Sequence, residues 1–195
     1  MIRFNLIIFA IGVIFFISLT FTLIFIDEIT IDPDKSTSFS NCSSDWYITG
    51  YFTPVESDYS GDFQKITFDD EVKQFKSDFL SVVKTEGWGK TISGEYVGWY
   101  DDSFHISDVA LDSHGEPLLV HSVAVDSEII KQKTNLVIPN LPTPWNEIIF
   151  ESSDIGPSIK GKHIDVYVGE GKQAELETFR ITSTENNVCI EFFKD

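Results

Sequence analysis

The chain is short of positive charge. Its 195 residues hold 14 Lys and Arg against 31 Asp and Glu, a formal charge of -17. A surface of that sign repels phosphate backbones, which argues against nucleic acid as a partner and against the polar part lying flat on anionic lipid. Histidine is scarce as well. His105, His114, His121 and His163 show no ligand spacing of the H-E-x-x-H kind, so no metal is implied, and nothing calls for an organic cofactor. There is no repeat of fixed period and no low-complexity tract. What is present is apolar: 42% of residues are hydrophobic, including 17 Phe. That is enough to bury a core and excludes a disordered tail.

The apolar residues are concentrated first at the amino terminus. Residues 5–26 read NLIIFAIGVIFFISLTFTLIFI and contain no charge. As a helix this segment covers roughly 30 Å, about the thickness of a bilayer's hydrocarbon core. Arg3 precedes it and Asp27 and Glu28 follow, and the apolar run ends without a small-residue cleavage site. The expectation is an uncleaved signal-anchor helix in contact with the lipid bilayer. The amino terminus would then be cytoplasmic and the remainder extracellular or periplasmic. A signal peptide cut further along is the alternative. The partition expected is an anchor over 1–27, a polar stalk over 28–44 and one domain over 45–195. Cys42 and Cys189 lie near the two ends of that domain, where a bridge would tie them together. The other reading is a buried Cys189 beside a free Cys42. Asn41-Cys42-Ser43 also matches the short glycosylation pattern.

Within the domain, Trp46 to Thr53 is aromatic and β-branched and predicts a strand closed by Pro54. Around Thr67 to Lys84 the period changes. Val72, Phe75, Phe79 and Val82 recur at helical spacing, with Asp69 or Asp70 as a cap and Gly87 as a stop. Further strands are expected over 95–100, 118–125, 134–138, 147–150, 163–168, 174–182 and 188–193, separated by Asp-, Gly- and Pro-rich breaks. Many short strands with one helix point to a compact barrel or sandwich.

The segment Ser153 to Gly169, SDIGPSIKGKHIDVYVG, holds the most chemistry. Asp154 precedes a Gly-Pro turn, Asp165 stands between apolar neighbours in a strand-like run, and Asp126 ends the strand-like VHSVAVD. Carboxylates brought together raise one another's pKa, and one that keeps its proton near pH 7 can act as a general acid on a glycosidic oxygen. The plain alternative is that each Asp caps a turn or accepts backbone hydrogen bonds. Trp88, Trp99, Tyr100 and Trp145 are candidates for stacking on sugar faces, or for ordinary packing. Lys160 and Lys162 are candidates for lowering a neighbouring carboxylate's pKa.

SDIGPSIKGKHIDVYVG, with HSVAVD upstream, resembles the three-aspartate (3D) domain of bacterial cell-wall proteins and the matching part of the MltA-type lytic transglycosylases. Thr49-Gly50-Tyr51-Phe52, with Pro54 after one residue, is similar to the TGYY-x-P strand of the MltA group. The resemblance implies a six-stranded double-psi β-barrel, which together with the short amphipathic helix read above makes a mainly β fold. It implies that Asp126, Asp154 and Asp165 form the site, with Asp165 as catalytic acid and then base and the other two supporting it. Thr49, Tyr51, Lys160 and Trp88 are the expected substrate-binding residues. The partner implied is a cell-envelope polysaccharide, cleaved to a 1,6-anhydro product without water. The alternative function is a membrane-tethered, non-catalytic carbohydrate-binding or structural module on the same barrel. The chain departs from the pattern at Ile155 and Pro157. The span before Asp126 is also shorter than the second domain that the MltA enzymes place there.

Overall fold

The computed structural model describes residues 39–69 and 71–191. In chain order the strands begin with β1 (Phe39–Thr53), β2 (Phe63–Phe68) and β3 (Glu71–Lys76), followed by the helix α1 (Ser77–Glu86). Then come β4 (Trp88–Lys90), β5 (Tyr96–Tyr100), β6 (Ser103–Ser107), β7 (Ser122–Val125), β8 (Asn135–Val137) and β9 (Phe150–Asp154). The chain ends with β10 (His163–Glu170), the helix α2 (Gly171–Ile181) and β11 (Ser183–Glu191).

Six strands close into a barrel in the order β1-β10-β7-β9-β8-β11. β1 runs parallel to β10 and β7 parallel to β9, while the remaining pairs are antiparallel. Alternation along the strands fills the interior: Ile48, Val123, Leu136, Phe150, Ile164, Val166 and Val188 are all fully buried there. Outside the barrel, β2 and β3 form a hairpin and β4, β5 and β6 a three-stranded sheet. Phe75, Phe79, Leu80, Val83 and Val97 make a second, smaller core between these pieces and α1.

The double-psi barrel with a single helix therefore needs correction, because the described residues hold two α-helices and two small sheets beside the barrel. The second helix, α2, occupies a stretch expected to be a strand. Within it Ala174 and Leu176, and again Phe179 and Ile181, are spaced by one polar residue, as in a half-buried strand. Yet Ala174 and Ile181 are buried while Phe179 and Leu176 stand exposed, a helical distribution. The helix expected over 67–84 also splits. Val72 and Phe75 belong to β3, and α1 begins at Ser77. The spacing of the apolar residues simply continues across the junction, since Phe75 and Phe79 share one core. Asp69 does not cap the helix; it turns the hairpin in the left-handed region with φ 47°. Gly87 ends α1 as expected, with φ 89° and its N–H on the Val83 carbonyl.

β1 begins at Phe39, inside the stretch read as stalk. Cys42 and Cys189 face one another across β1 and β11 and are joined in a disulfide. The expected membrane helix is also corrected. No helix among the described residues is long and apolar enough to cross a membrane. Residues 5–26, on which that expectation fell, lie outside the described residues. The lipid contact and the single-pass placement thus have no support among the described residues.

Candidate active site

The barrel's register assembles the site. Thr49 on β1 pairs with Asp165 on β10, Asp165 with Ala124 on β7, and Ala124 with Asp154 on β9. These four residues form one row across four adjacent strands. Their chain neighbours Ile48, Ile164 and Val125 point into the core, so the row faces outwards. A register shift between Val123 and Ala124 on the β7–β9 pair brings Asp154, rather than Ser153, into the row. Ala124 separates the two acids with a methyl group only, which leaves a hollow above it. Two strand spacings, about 10 Å, then separate the acids at their backbones.

That hollow is a cleft of about 870 Å³. One wall is the barrel row together with the Asp154–Ile159 loop. The other comes from the segment outside the barrel: the end of α1 at Glu86, then Trp88, Trp99 and Tyr100 of the three-stranded sheet. Trp88 is held against Gly98, where a Cβ would come within 2.7 Å of the indole. Tyr100 stacks on His105 at 3.7 Å between ring centroids. The aromatic wall is thus backed by its own sheet.

The carboxyl of Asp165 is set apart from an ordinary one. Burial pushes its pKa up to about 6; the Thr49 hydroxyl, which donates to Oδ1 at 2.6 Å, works against this, and the charge of Asp154 adds to it. Thr49 Oγ1 also lies 2.9 Å from His163 Nε2, so one hydroxyl links the two side chains. Burial raises Asp154 as well, opposed by the Tyr51 hydroxyl at 2.8 Å and the Ile155 amide at 2.9 Å. Tyr51 is buried beside these acids and is pushed well above its usual range, so it stays a donor. Glu86, on the facing wall, is pushed by burial up to about 7, opposed by the Phe52 amide at 3.1 Å and assisted by the charge of Asp165.

The structure brings Asp154, Asp165, Tyr51 and Trp88 to one cleft and fixes Thr49 to Asp165. It does not bring Asp126 there. That carboxylate accepts the amides of Gly161 at 2.8 Å and Glu128 at 3.2 Å, which hold it below the usual carboxylate range. It organises the loop that leads into β10. Lys160 is exposed and does not line the cleft, and Trp145 is buried in the barrel core with its N–H on Glu177. Glu86 was not anticipated. It closes a helix far from the aspartate segments in sequence, and only the Gly87 stop marked its surroundings. Among the described residues no group of side chains has the arrangement of a metal site.

Two acids on strands β10 and β9 of a closed barrel, one strand apart and beneath an aromatic wall, define the class. Residues 121–183 match the family model described as the 3D domain. Its fold is that of the MltA-like lytic transglycosylases. The structure of E. coli MltA with bound chitohexaose superposes with a TM-score of 0.60 at 16% identity, covering 77% of this chain and 72% of that one. MltA from Neisseria gonorrhoeae in its monoclinic form gives 0.53 at 14% identity, covering 79% and 72%. At such identities the likeness is one of fold, and it is to a family of glycan-cleaving enzymes. No curated protein sequence matches the chain.

Proposed function

We propose that the chain cleaves a cell-envelope glycan by lytic transglycosylation, with Asp165 as general acid and then base. The observation that carries this reading is a carboxyl on the cleft floor whose pKa is pushed up to about 6, with one oxygen tied to Thr49. Such a group holds a proton at mildly acidic pH and can deliver it. Its proton passes to the glycosidic oxygen between N-acetylmuramic acid and N-acetylglucosamine, and the bond from that oxygen to C1 of the muramic sugar breaks. The 6-hydroxyl of the same sugar attacks C1, and its proton returns to Asp165. No water is consumed, and the acid is restored. Intramolecular attack needs no second substrate to be positioned, which favours a small enzyme. Tyr51 and Asp154 hold the neighbouring part of the cleft, and Trp88, Trp99 and Tyr100 offer faces for sugar rings. That E. coli MltA was crystallised with chitohexaose supports an amino-sugar glycan as substrate.

The test is incubation of the full chain with purified peptidoglycan and analysis for 1,6-anhydro-muropeptides. Asp165→Asn is expected to lower their formation by about 10²–10⁴-fold with the fold retained. Unchanged cleavage by Asp165→Asn would remove the role assigned to it. A second reading, a non-catalytic carbohydrate-binding module, is favoured by Ile155 and Pro157 at the cleft, where a bulky apolar residue and a fixed turn face the sugar path. Binding without anhydro products would select it.

A further inference from the structure

We propose that the cleft selects its glycan by charge, taking strands that carry free amines, as N-deacetylated amino sugars do, over strands that carry carboxylates. The inference rests on the cleft being a glycan site and adds the class of glycan that fits it. Acidic residues line the cleft from five separate parts of the chain: Glu86, the turn pair Asp101 and Asp102, Asp112, Asp154 and Asp165. The only cationic side chain in its lining, Lys84, is drawn onto the opposite wall's own aromatic, with Nζ 4.2 Å from the centre of the Trp99 ring. Asp112 is partly answered, because it accepts the amides of His114 and Glu116 and lies 3.9 Å from Lys133. Among the described residues none of the other five acids belongs to an ion pair.

The cleft and its aromatic wall define the binding site, and its unpaired acids give it a sign; at pH 6 Glu86, pushed up to about 7, adds little to that sign and Asp165, pushed up to about 6, adds about half a charge. A concave site with low-dielectric walls focuses such a field onto whatever enters. An acetamide is indifferent to it, an ammonium group is attracted and a carboxylate is repelled. The interaction is one between partly hydrated charges, so it weakens as salt shortens the Debye length from about 10 Å at 0.1 M to about 3 Å at 1 M.

The experiment measures binding of three hexasaccharides to the full chain by calorimetry at pH 6: chitohexaose, its fully deacetylated counterpart and a uronic acid hexamer. At low salt the deacetylated hexamer is expected to bind at least tenfold more tightly than chitohexaose, and the uronate more weakly than either. The gap should collapse at high salt. The pair Asp101→Asn and Asp102→Asn should reduce it to below threefold. Asn tolerates the left-handed backbone found there, with φ 50° and 55°, so the turn is kept. Removing two exposed acids elsewhere, Glu128→Gln and Asp108→Asn, should leave the gap in place, which separates the cleft's field from that of the whole acidic chain. Equal or tighter binding of chitohexaose or the uronate, or a gap indifferent to salt or to the Asp101 and Asp102 changes, overturns the charge selection and leaves the glycan site standing. Failure of all three to bind overturns both.

Discussion

The catalytic proposal turns at the level of single residues on how one proton is shared. An acid that must give up a proton works only while it holds one, so kcat/KM should fall about tenfold per pH unit above about 6, where Asp165 ionises. The Thr49 hydroxyl stabilises the ionised form. Thr49→Val should therefore move this limb to higher pH, as read in a pH–rate profile, and an unmoved or lowered limb would contradict the role given to Thr49. Stability follows the same shift. The folded chain holds the Asp165 proton from the usual 3.8 up to about 6, so this residue weakens the fold as pH rises through that window. The two aspartates of the cleft were legible in the sequence because each sits in a short motif with a turn or strand beside it. Asp126 looked equivalent by residue type, but what decides is the direction of its side chain, which amides of the following loop capture. Glu86 was invisible because its environment is made by strands distant in sequence, through the Phe52 amide and the cleft wall.

Whole elements show the same division. β1 and β10 were readable from alternation and aromatic content, and the end of α1 from Gly87. α2 was not, because its apolar residues alternate while its packing obeys the helical period. The contact that fixes α2 is unusually close. A Cβ on Gly50 would come within 2.9 Å of the Thr178 Cα and 3.0 Å of Ile181 Cδ1. The first of these is a backbone atom and cannot rotate away. Gly50→Ala is expected to destabilise the fold by about 1–3 kcal/mol through overpacking, measured as a lowered Tm. Because Gly50 lies between Thr49 and Tyr51, the displaced strand should also lose cleavage activity in parts of the temperature range where it remains folded. An unchanged Tm would mean that α2 does not pack on β1 in this way.

At the scale of the whole molecule, the disulfide joins the first and last barrel strands across a sequence separation of 147 residues. Its two cysteines stood at the ends of the domain in the sequence, but pairing required β1 and β11 to be barrel neighbours, which no local pattern specifies. A crosslink closing so long a loop restricts the unfolded chain severely, with a chain-entropy ceiling of about 5 kcal/mol and a usual effect of about 2–5 kcal/mol. Replacing both cysteines, Cys42→Ser with Cys189→Ser, should lower the unfolding free energy by that amount, as read from a denaturant titration, and reducing agent should then have no further effect. The cleft acids lie on β9 and β10, and β1 reaches them only at Thr49 and Tyr51, well along the strand from Cys42. Cleavage far below the melting temperature is accordingly expected to survive the double replacement. Loss of activity in a chain still folded would show instead that the seam between β1 and β11 sets the register of the Thr49–Asp165 row. The disulfide would then be part of the site's geometry as well as of its stability.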